Sequence, residues 1–434
     1  NFILEDKNKM AFIVNKPLEE GSIHRAKTWE IAFYALNNTS TNIYMMMMAY
    51  VSYYVSGFMG IAAVLVGVLL TVMRVWDGVT DPIVGFIVDR TNGKFGKNRP
   101  FIVIGNVIMF ITTYILFHFG HQLPDNYGLR LAFFLGIYAI YILGYTAQCV
   151  VTKSAQTCMT NDPEQRPTFA IFDSIYNTLL FGIGAGIFFT NYLIPKYASV
   201  GADGAPVSGL RNAAMYHELW WVLALISAVF ATLGIIGLWR KDRPKYFGTG
   251  DNAKIGLKDY WDVLKHNRAI QMLVVSASTD KLFTGIQGNA IVMTSLFGII
   301  MGFLGIQGQV AAISTIPTVL ISILGLRFIA SKMGQKKALL FGTWGGIITS
   351  VLMFILLYFG NPSSAHGVGA DGKKYLVWSG FLITFLVLYV LQRGMVSISG
   401  NIVIPMTADC ADYETYRSGR YMPGLMGTLF SFVD

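Results

Sequence analysis

The stretch "RVWDGVTDPIVGFIVDR" (74–90) sets two carboxylates, Asp77 and Asp81, four residues apart in an apolar run. On a helix this spacing puts both acids on one face, about 6 Å apart along the axis. Thr80 lies on nearly the same face and adds a hydroxyl, and Arg74 lies one turn back. Carboxylates this close repel unless a proton or a metal cation sits between them, or a base pairs with one. Oxygen ligands suit a hard cation such as Na+, for which Asp77 and Asp81 would be the metal ligands; a shared proton is the simpler alternative. The bland reading is an Arg74–Asp77 ion pair beside a second acid that only packs.

The elements holding these acids follow from composition. The 434-residue chain is 54% hydrophobic and 13% charged, against roughly 45–50% and 25% for soluble domains. Apolar runs recur near the roughly 20 residues that a helix needs to cross a bilayer. A β-barrel would show short alternating strands instead. The expected class is an all-α polytopic membrane protein. Spans are expected at 29–56, 59–88, 100–120, 130–159, 168–194, 217–239, 269–298, 308–330, 338–359 and 376–406, with an eleventh from 421. The chain stops inside that last run, at "GLMGTLFSFVD", so further residues are expected beyond it. A twelfth span would complete two groups of six.

Charge sets the orientation. The stretches 1–28, 89–99, 160–167, 240–268, 327–337 and 407–420 carry 24 of the 33 Lys and Arg residues. Positive loops mark the cytoplasmic side, which places the N-terminus inside, in a plasma (inner) membrane. The net charge of +9 is then met by topology and anionic headgroups, with no nucleic-acid partner. The basic stretch 240–268 divides the chain into a cytoplasmic segment 1–28, a six-helix bundle over 29–239, the central loop itself, and a second bundle over 269–434. Within it "LKDYWDVLKHN" is amphipathic and suits a membrane surface. An internal repeat supports the division: "GFIVDRTNGKFGKNRPFIVIG" after the second span resembles "LRFIASKMGQKKALLFG" after the eighth.

Other charges within the spans include Lys153, Asp173, Asp280, Lys281 and Arg393. Each costs at least roughly 2.5–3.5 kcal/mol near the bilayer centre, so such groups face a bundle interior or a wet cavity. Lys153, one turn from Cys149, could hold an anionic substrate group, pair with Asp173, or snorkel to the interface. Asp280 and Lys281 could pair with each other or with another segment. Cys149, Cys158 and Cys410 show no metal-ligand spacing, and no cofactor is expected. The chain has no Ser/His/Asp grouping, no HExxH and no phosphate loop, so an enzyme is not expected.

The stretch "RVWDGVTDPIVGFIVDRTNGKFGKNRPFIVIG" resembles the second-helix and loop signature of the glycoside–pentoside–hexuronide:cation symporters, the melibiose-permease-like branch of the major facilitator superfamily. "TADCADYETYRSGRYMPGLMGTLFSF" resembles the family's tenth-to-eleventh loop, and "YALNNTSTN" is a degraded form of its first-helix pattern. The resemblance implies a major facilitator fold of two pseudo-symmetric six-helix bundles. It implies a cation site at Asp77, Thr80, Asp81 and Thr146. It sets the family's substrate positions on Asn42, Tyr145, Cys149, Lys153 and either Asp173 or Ser174. Acids of the family pattern are lost at Asn42 and Cys149, and a cation appears at Lys153, which favours an anionic sugar such as a hexuronide or a sulfonated sugar. The expected activity is Na+- or H+-coupled symport of a sugar or glycoside by alternating access. Asp89, Arg90, Lys97, Arg99, Asp409 and Asp412 are expected to form cytoplasmic gate pairs. A single copy suffices, so a monomer in lipid is expected. The rivals are a lysolipid or other organic-anion carrier on the same scaffold, and a non-transporting sensor.

Overall fold

The computed structural model describes residues 23–91, 93–200, 206–247, 257–288, 290–303, 306–369, 374–419 and 422–424. The first 22 residues of the N-terminal segment and most of the eleventh expected span lie outside the described residues. The helices of eight or more α-helical residues are α1 (Thr28–Met48), α2 (Val51–Phe58), α3 (Ala63–Arg90), α4 (Arg99–Phe119), α5 (Tyr127–Ser154), α6 (Pro167–Leu179), α7 (Ala213–Leu238), α8 (Leu257–His266), α9 (Arg268–Gly288), α10 (Ile306–Leu324), α11 (Gln335–Phe359) and α12 (Gly380–Ser418). Two short hairpins pair Ser199–Val200 with Pro206–Val207 and His366–Val368 with Lys374–Leu376. Among the described residues, seven helical stretches are long and apolar enough to cross a membrane: those of α3, α4, α5, α7, α10, α11 and α12.

The other expected spans are helical but interrupted. The span at 29–56 breaks at Ala49–Tyr50, between α1 and α2. The span at 168–194 is α6 followed by π-helical turns over Leu180–Leu193. The span at 269–298 is α9, then Ala290–Met293 and a π-helical stretch Thr294–Ile300. Wider turns of this kind gather at functional positions, because the extra residue shifts every side chain after it around the helix.

The described chain forms two compact units. The first holds α1–α5, α7, α8 and the C-terminal turns of α12 from Thr407. The second holds α6, most of α9, α10, α11 and α12 up to Met406.

In the first unit α1 is the interior helix, because its polar residues find partners on neighbouring helices. The Tyr34 hydroxyl reaches the carbonyls of Val151 and Thr152 at 2.9 and 2.6 Å. Asn37 donates to Thr152 Oγ1 at 2.8 Å, and Thr41 donates to Gln148 Oε1 at 2.7 Å. Ser40, Asn106 and Ser227 form a further triad across three helices. Interhelical hydrogen bonds of this kind associate helices where lipid offers no competing water. Close crossings need small residues. A Cβ on Gly105 would stand 2.7 Å from the Gly144 carbonyl oxygen, and one on Gly144 would stand 2.8 Å from that of Gly105. The α4–α5 crossing therefore fixes α5, which carries Tyr145 and Thr146.

In the second unit, Phe297, Phe385 and Leu382 centre one apolar cluster, and Leu326, Ala338, Ile398 and Ile402 another. The repeated turn motif shows in the backbone of each unit. Gly96 and Gly334, at matching places in the two motifs, both take φ of +92°, a conformation that side chains with a Cβ rarely adopt.

Candidate functional site

The paired acids sit where α3 packs on α5. Val84 and Val88 of α3 meet Ala147 and Val150 of α5, with Phe101 against them. This packing sets Thr146 opposite Asp77, and its hydroxyl donates to Asp77 Oδ1 at 2.9 Å. Asp81 is 1% exposed, and Thr80 and Thr146 are equally buried. The Thr80 hydroxyl donates to the Asp77 carbonyl at 3.0 Å. Pro82 follows Asp81 within the helix. Having no N–H, it leaves the Gly78 carbonyl without its usual helical donor. The four residues of the expected cation site are thus together in one unit. Their side chains bring two carboxylates and two hydroxyls to this place. Among the described residues, no three of His, Cys, Asp and Glu group as a metal-holding cluster.

Asp77 also borders a cavity of about 230 Å³ in the first unit. Arg74, Met73, Tyr138, Tyr141 and Tyr145 line it with Asp77, and Met45, Met48, Ala49, Leu70 and Ile142 complete the wall. Arg74 Nη1 stands 3.9 Å from Asp77 Oδ2, beyond hydrogen-bond range. The Arg74 side chain is 64% exposed, against 13% for Asp77.

Of the residues expected to bind substrate, Tyr145 lines this cavity. Asn42 on α1 and Cys149 on α5 are half-buried, and Lys153 is buried; none of the three is among the lining residues. Asp173 and Ser174 lie on α6, in the second unit. There Asp173 accepts from Asn177 at 3.1 Å, and Ser174 meets Ser322 at 3.1 Å. In the same unit Asp280 is half-buried, and its Oδ2 lies beside Gly400. Lys281 is exposed, and Arg393 donates to the Tyr389 hydroxyl at 3.1 Å.

The expected gate residues lie around the turn between α3 and α4 and on the last turns of α12. Lys97 pairs with Asp89 at 3.2 Å, both buried, and Asp89 accepts the backbone N–H of Gly424 at 2.8 Å. Arg90 lies over the Phe86 ring. Asp409 and Asp412 are half-buried on the last turns of α12. The centre of this region is a residue that the sequence reading passed over. Asp242, fully buried, accepts the backbone N–H groups of Lys97, Asn98 and Arg99 at 3.0–3.2 Å. It also accepts from Asn98 Nδ2 at 3.0 Å and from Arg99 Nε at 3.4 Å. A carboxylate there meets both the orphan donors and the positive end of the α4 dipole. Any Cβ on Gly96 would collide with Asp242. The available signal was that Asp242 is the one acid in the basic run "RKDRPK". Two further pairs, Glu30–Arg240 at 2.6 Å and Glu414–Arg417 at 3.0 Å, were also missed.

Lys241, beside Asp242 and outside the spans, is 1% exposed. Burial, with the Arg240 charge, pushes its ammonium down to about 8. Between that value and its unfolded value near 10.5, the unfolded chain holds a proton that the folded chain has released. Stability therefore rises with pH across that window and is flat with respect to Lys241 below it. Thermal unfolding of the detergent-solubilised protein is expected to show this rise above pH 8, and Lys241→Met to flatten it. An equal rise in both proteins would contradict the burial argument.

The family profile described as MFS/sugar transport protein matches residues 33–434. An isoprimeverose transporter of Lactiplantibacillus pentosus is 22% identical over 417 residues, covering 93% of this chain and 76% of that protein. A glucuronide carrier protein homolog of Escherichia coli K12 is 23% identical over 410 residues, covering 93% and 79%. A putative glycoside/cation symporter of the same organism is 30% identical over 135 residues, 31% of this chain and 28% of its own length. Among solved structures, a bacterial homologue of the iron transporter ferroportin in an outward-facing state aligns with a TM-score of 0.63. It is 10% identical, covering 94% of this chain and 88% of that one. The major facilitator transporter FucP in an outward conformation aligns at 0.53 with 11% identity, covering 93% and 95%. These likenesses give the fold: all-α, polytopic, of major facilitator type.

Proposed function

We propose, from the premise that the chain belongs to the MFS/sugar transport protein family, that this multi-pass membrane sugar transporter couples uptake to a cation held at Asp77 and Asp81. The observation that carries this reading is the position of Asp77. One of its oxygens is held by Thr146, while its side chain borders a cavity large enough for a small solute. Asp81, one turn away, is buried beside it in the helix. The ion, Na+ or H+, neutralises acids whose burial is otherwise costly. Thr80 and Thr146 supply hydroxyls.

The cargo is a sugar or glycoside. An anionic one is favoured by the loss of acids at Asn42 and Cys149 and by the glucuronide carrier homolog among the relatives; Lys153 adds positive charge on α5 but does not line the cavity. In this reading 29–239 and 269–434 are the two bundles and 240–268 is the central cytoplasmic loop. The N-terminus is inside, at the plasma (inner) membrane, and one copy is sufficient. Transport proceeds by alternating access. Asp89 paired with Lys97, and Arg99 paired with Asp242, together with Arg90, Asp409 and Asp412, form the cytoplasmic gate. Counterflow in proteoliposomes tests it, with glucuronide and neutral glycoside, with and without Na+ and at two pH values. Cation-stimulated sugar counterflow is the expected result, and sugar flux indifferent to both ions would reject the coupling.

A second reading has one observation in its favour. Met45, Met48, Leu70 and Met73 give the cavity a greasy wall, which suits a lysolipid or other amphiphilic organic anion. Uptake of a labelled lysolipid without sugar competition would favour it.

A further inference from the structure

We propose that Arg74 is the residue that reads the substrate's carboxylate, and that the substrate's charge in turn cancels the positive charge that opposes cation entry at Asp77. This assignment rests on the cation-coupled transport reading above and names the specificity determinant of that site.

The geometry points to Arg74 in three ways. First, its guanidinium is open. The side chain is 64% exposed and lines the cavity, while the contact to Asp77 Oδ2 is 3.9 Å long. A fork-to-fork arginine–carboxylate pair has two short parallel bonds; this contact has neither. Asp77 takes its close hydrogen bond from Thr146 instead. An arginine in that state offers donors in the planar arrangement that matches a carboxylate.

Second, the wall beside it suits a sugar ring. Tyr138, Tyr141 and Tyr145 recur at spacings of three and four on α5, so they share a face. The 138–141 centroids are 5.7 Å apart and the 141–145 centroids 6.3 Å, the latter pair stacked at 26°. Tyrosine presents an apolar face and a hydroxyl tip, as a pyranose presents an apolar C–H face and hydroxyls. The ligand class is therefore a pyranose bearing a carboxylate at one end.

Third, the placement couples the two ligands. A positive charge beside Asp77 opposes entry of a cation. A substrate carboxylate on Arg74 cancels that charge and raises the cation's affinity. Linkage requires the cation to raise the substrate's affinity by the same factor. A neutral glycoside cannot supply this effect. Arg74 is a specificity-determining residue, and it links the two ligands through charge alone.

The test uses the full-length protein purified in detergent and two probes that differ only at C6, 4-nitrophenyl β-D-glucuronide and 4-nitrophenyl β-D-glucoside. Affinities are measured with and without Na+ and at two pH values, and inorganic phosphate serves as a competitor. In the wild type, the coupling ion is expected to raise glucuronide affinity by about tenfold or more and glucoside affinity by far less. Arg74→Gln is expected to lower glucuronide affinity about tenfold or more, with a much smaller change for glucoside and no remaining cation enhancement of the glucuronide. Arg74→Lys keeps the charge without the fork, so it should lose affinity while keeping the enhancement. That variant separates the assignment from a folding defect. Wild-type discrimination retained in Arg74→Gln overturns the assignment and leaves coupled sugar transport standing. Phosphate competing as strongly as the glucuronide overturns it too, by showing an anion site without sugar recognition. No cation-linked binding of either sugar in the wild type rejects the transport reading itself, and this assignment with it.

Discussion

Asp77→Asn and Asp81→Asn should each abolish accumulation of sugar against its gradient. At 100 mV across the membrane, one cation per neutral sugar supplies about 2.3 kcal/mol, which sustains roughly a 50-fold gradient at 1.4 kcal/mol per tenfold. Either substitution is isosteric and removes one of the two charges that hold the ion. The ratio should fall to one in proteoliposomes with an imposed potential and cation gradient. Thr146→Ala should be graded rather than absolute. It removes one hydroxyl from the site, a polar contact to a charged group worth about 1.5–3 kcal/mol, and so should raise the Na+ concentration that half-saturates transport by roughly 10- to 100-fold without ending coupling. A cycle carrying one cation with one uronide moves no net charge, so its accumulation should follow the chemical gradient and ignore the potential. Wild-type accumulation persisting in either Asn variant would remove the acids from the coupling step.

The second large effect is expected at Asp242, which does not line the cavity. Its carboxylate is fully buried and answers five N–H groups around the start of α4. Asp242→Ala leaves those donors, and the buried Arg99 charge, without their acceptor. Breaking a buried charged network by removing one partner costs about 3–5 kcal/mol. Asp242→Asn keeps one acceptor oxygen and should lose less. Thermal unfolding in detergent, with the yield of folded protein, measures both. The expected order is wild type, Asn variant, Ala variant. An Ala variant as stable as the wild type would show that the α4 N-terminus is seated by something else.

Much of this was legible before any fold was known, for a specific reason. Helical periodicity is local, so the four-residue spacing of Asp77 and Asp81 already fixed their shared face, and Thr80 came with them. Thr146 entered through the family resemblance, and the structure sets its hydroxyl on Asp77. The repeated turn was readable as a pattern, and Gly96 and Gly334 share its backbone conformation.

What stayed hidden depends on tertiary placement. Asp242 serves backbone groups that are 143 to 145 residues away in sequence, and nothing in "RKDRPK" names their address. Tyr138 and Tyr141 are two tyrosines among 22; only the packing of α5 against α3 turns that face toward the cavity. The interruption at Ala49–Tyr50 has no proline or glycine to announce it. Lys153 stands out in the sequence by its charge; Arg74 reads there only as a candidate partner for Asp77, and the structure shows that ion pair as a long one, 3.9 Å, with the Arg74 side chain 64% exposed.

The most direct measurement titrates substrate against cation on the purified protein. Glucuronide affinity is measured over a range of Na+ concentration and pH, and cation affinity over a range of glucuronide, in the wild type and in the Asp77→Asn, Asp81→Asn double variant. The account predicts that each ligand tightens the other by the same factor in the wild type, and that this reciprocity vanishes in the double variant. Reciprocity surviving the loss of both carboxylates would contradict it.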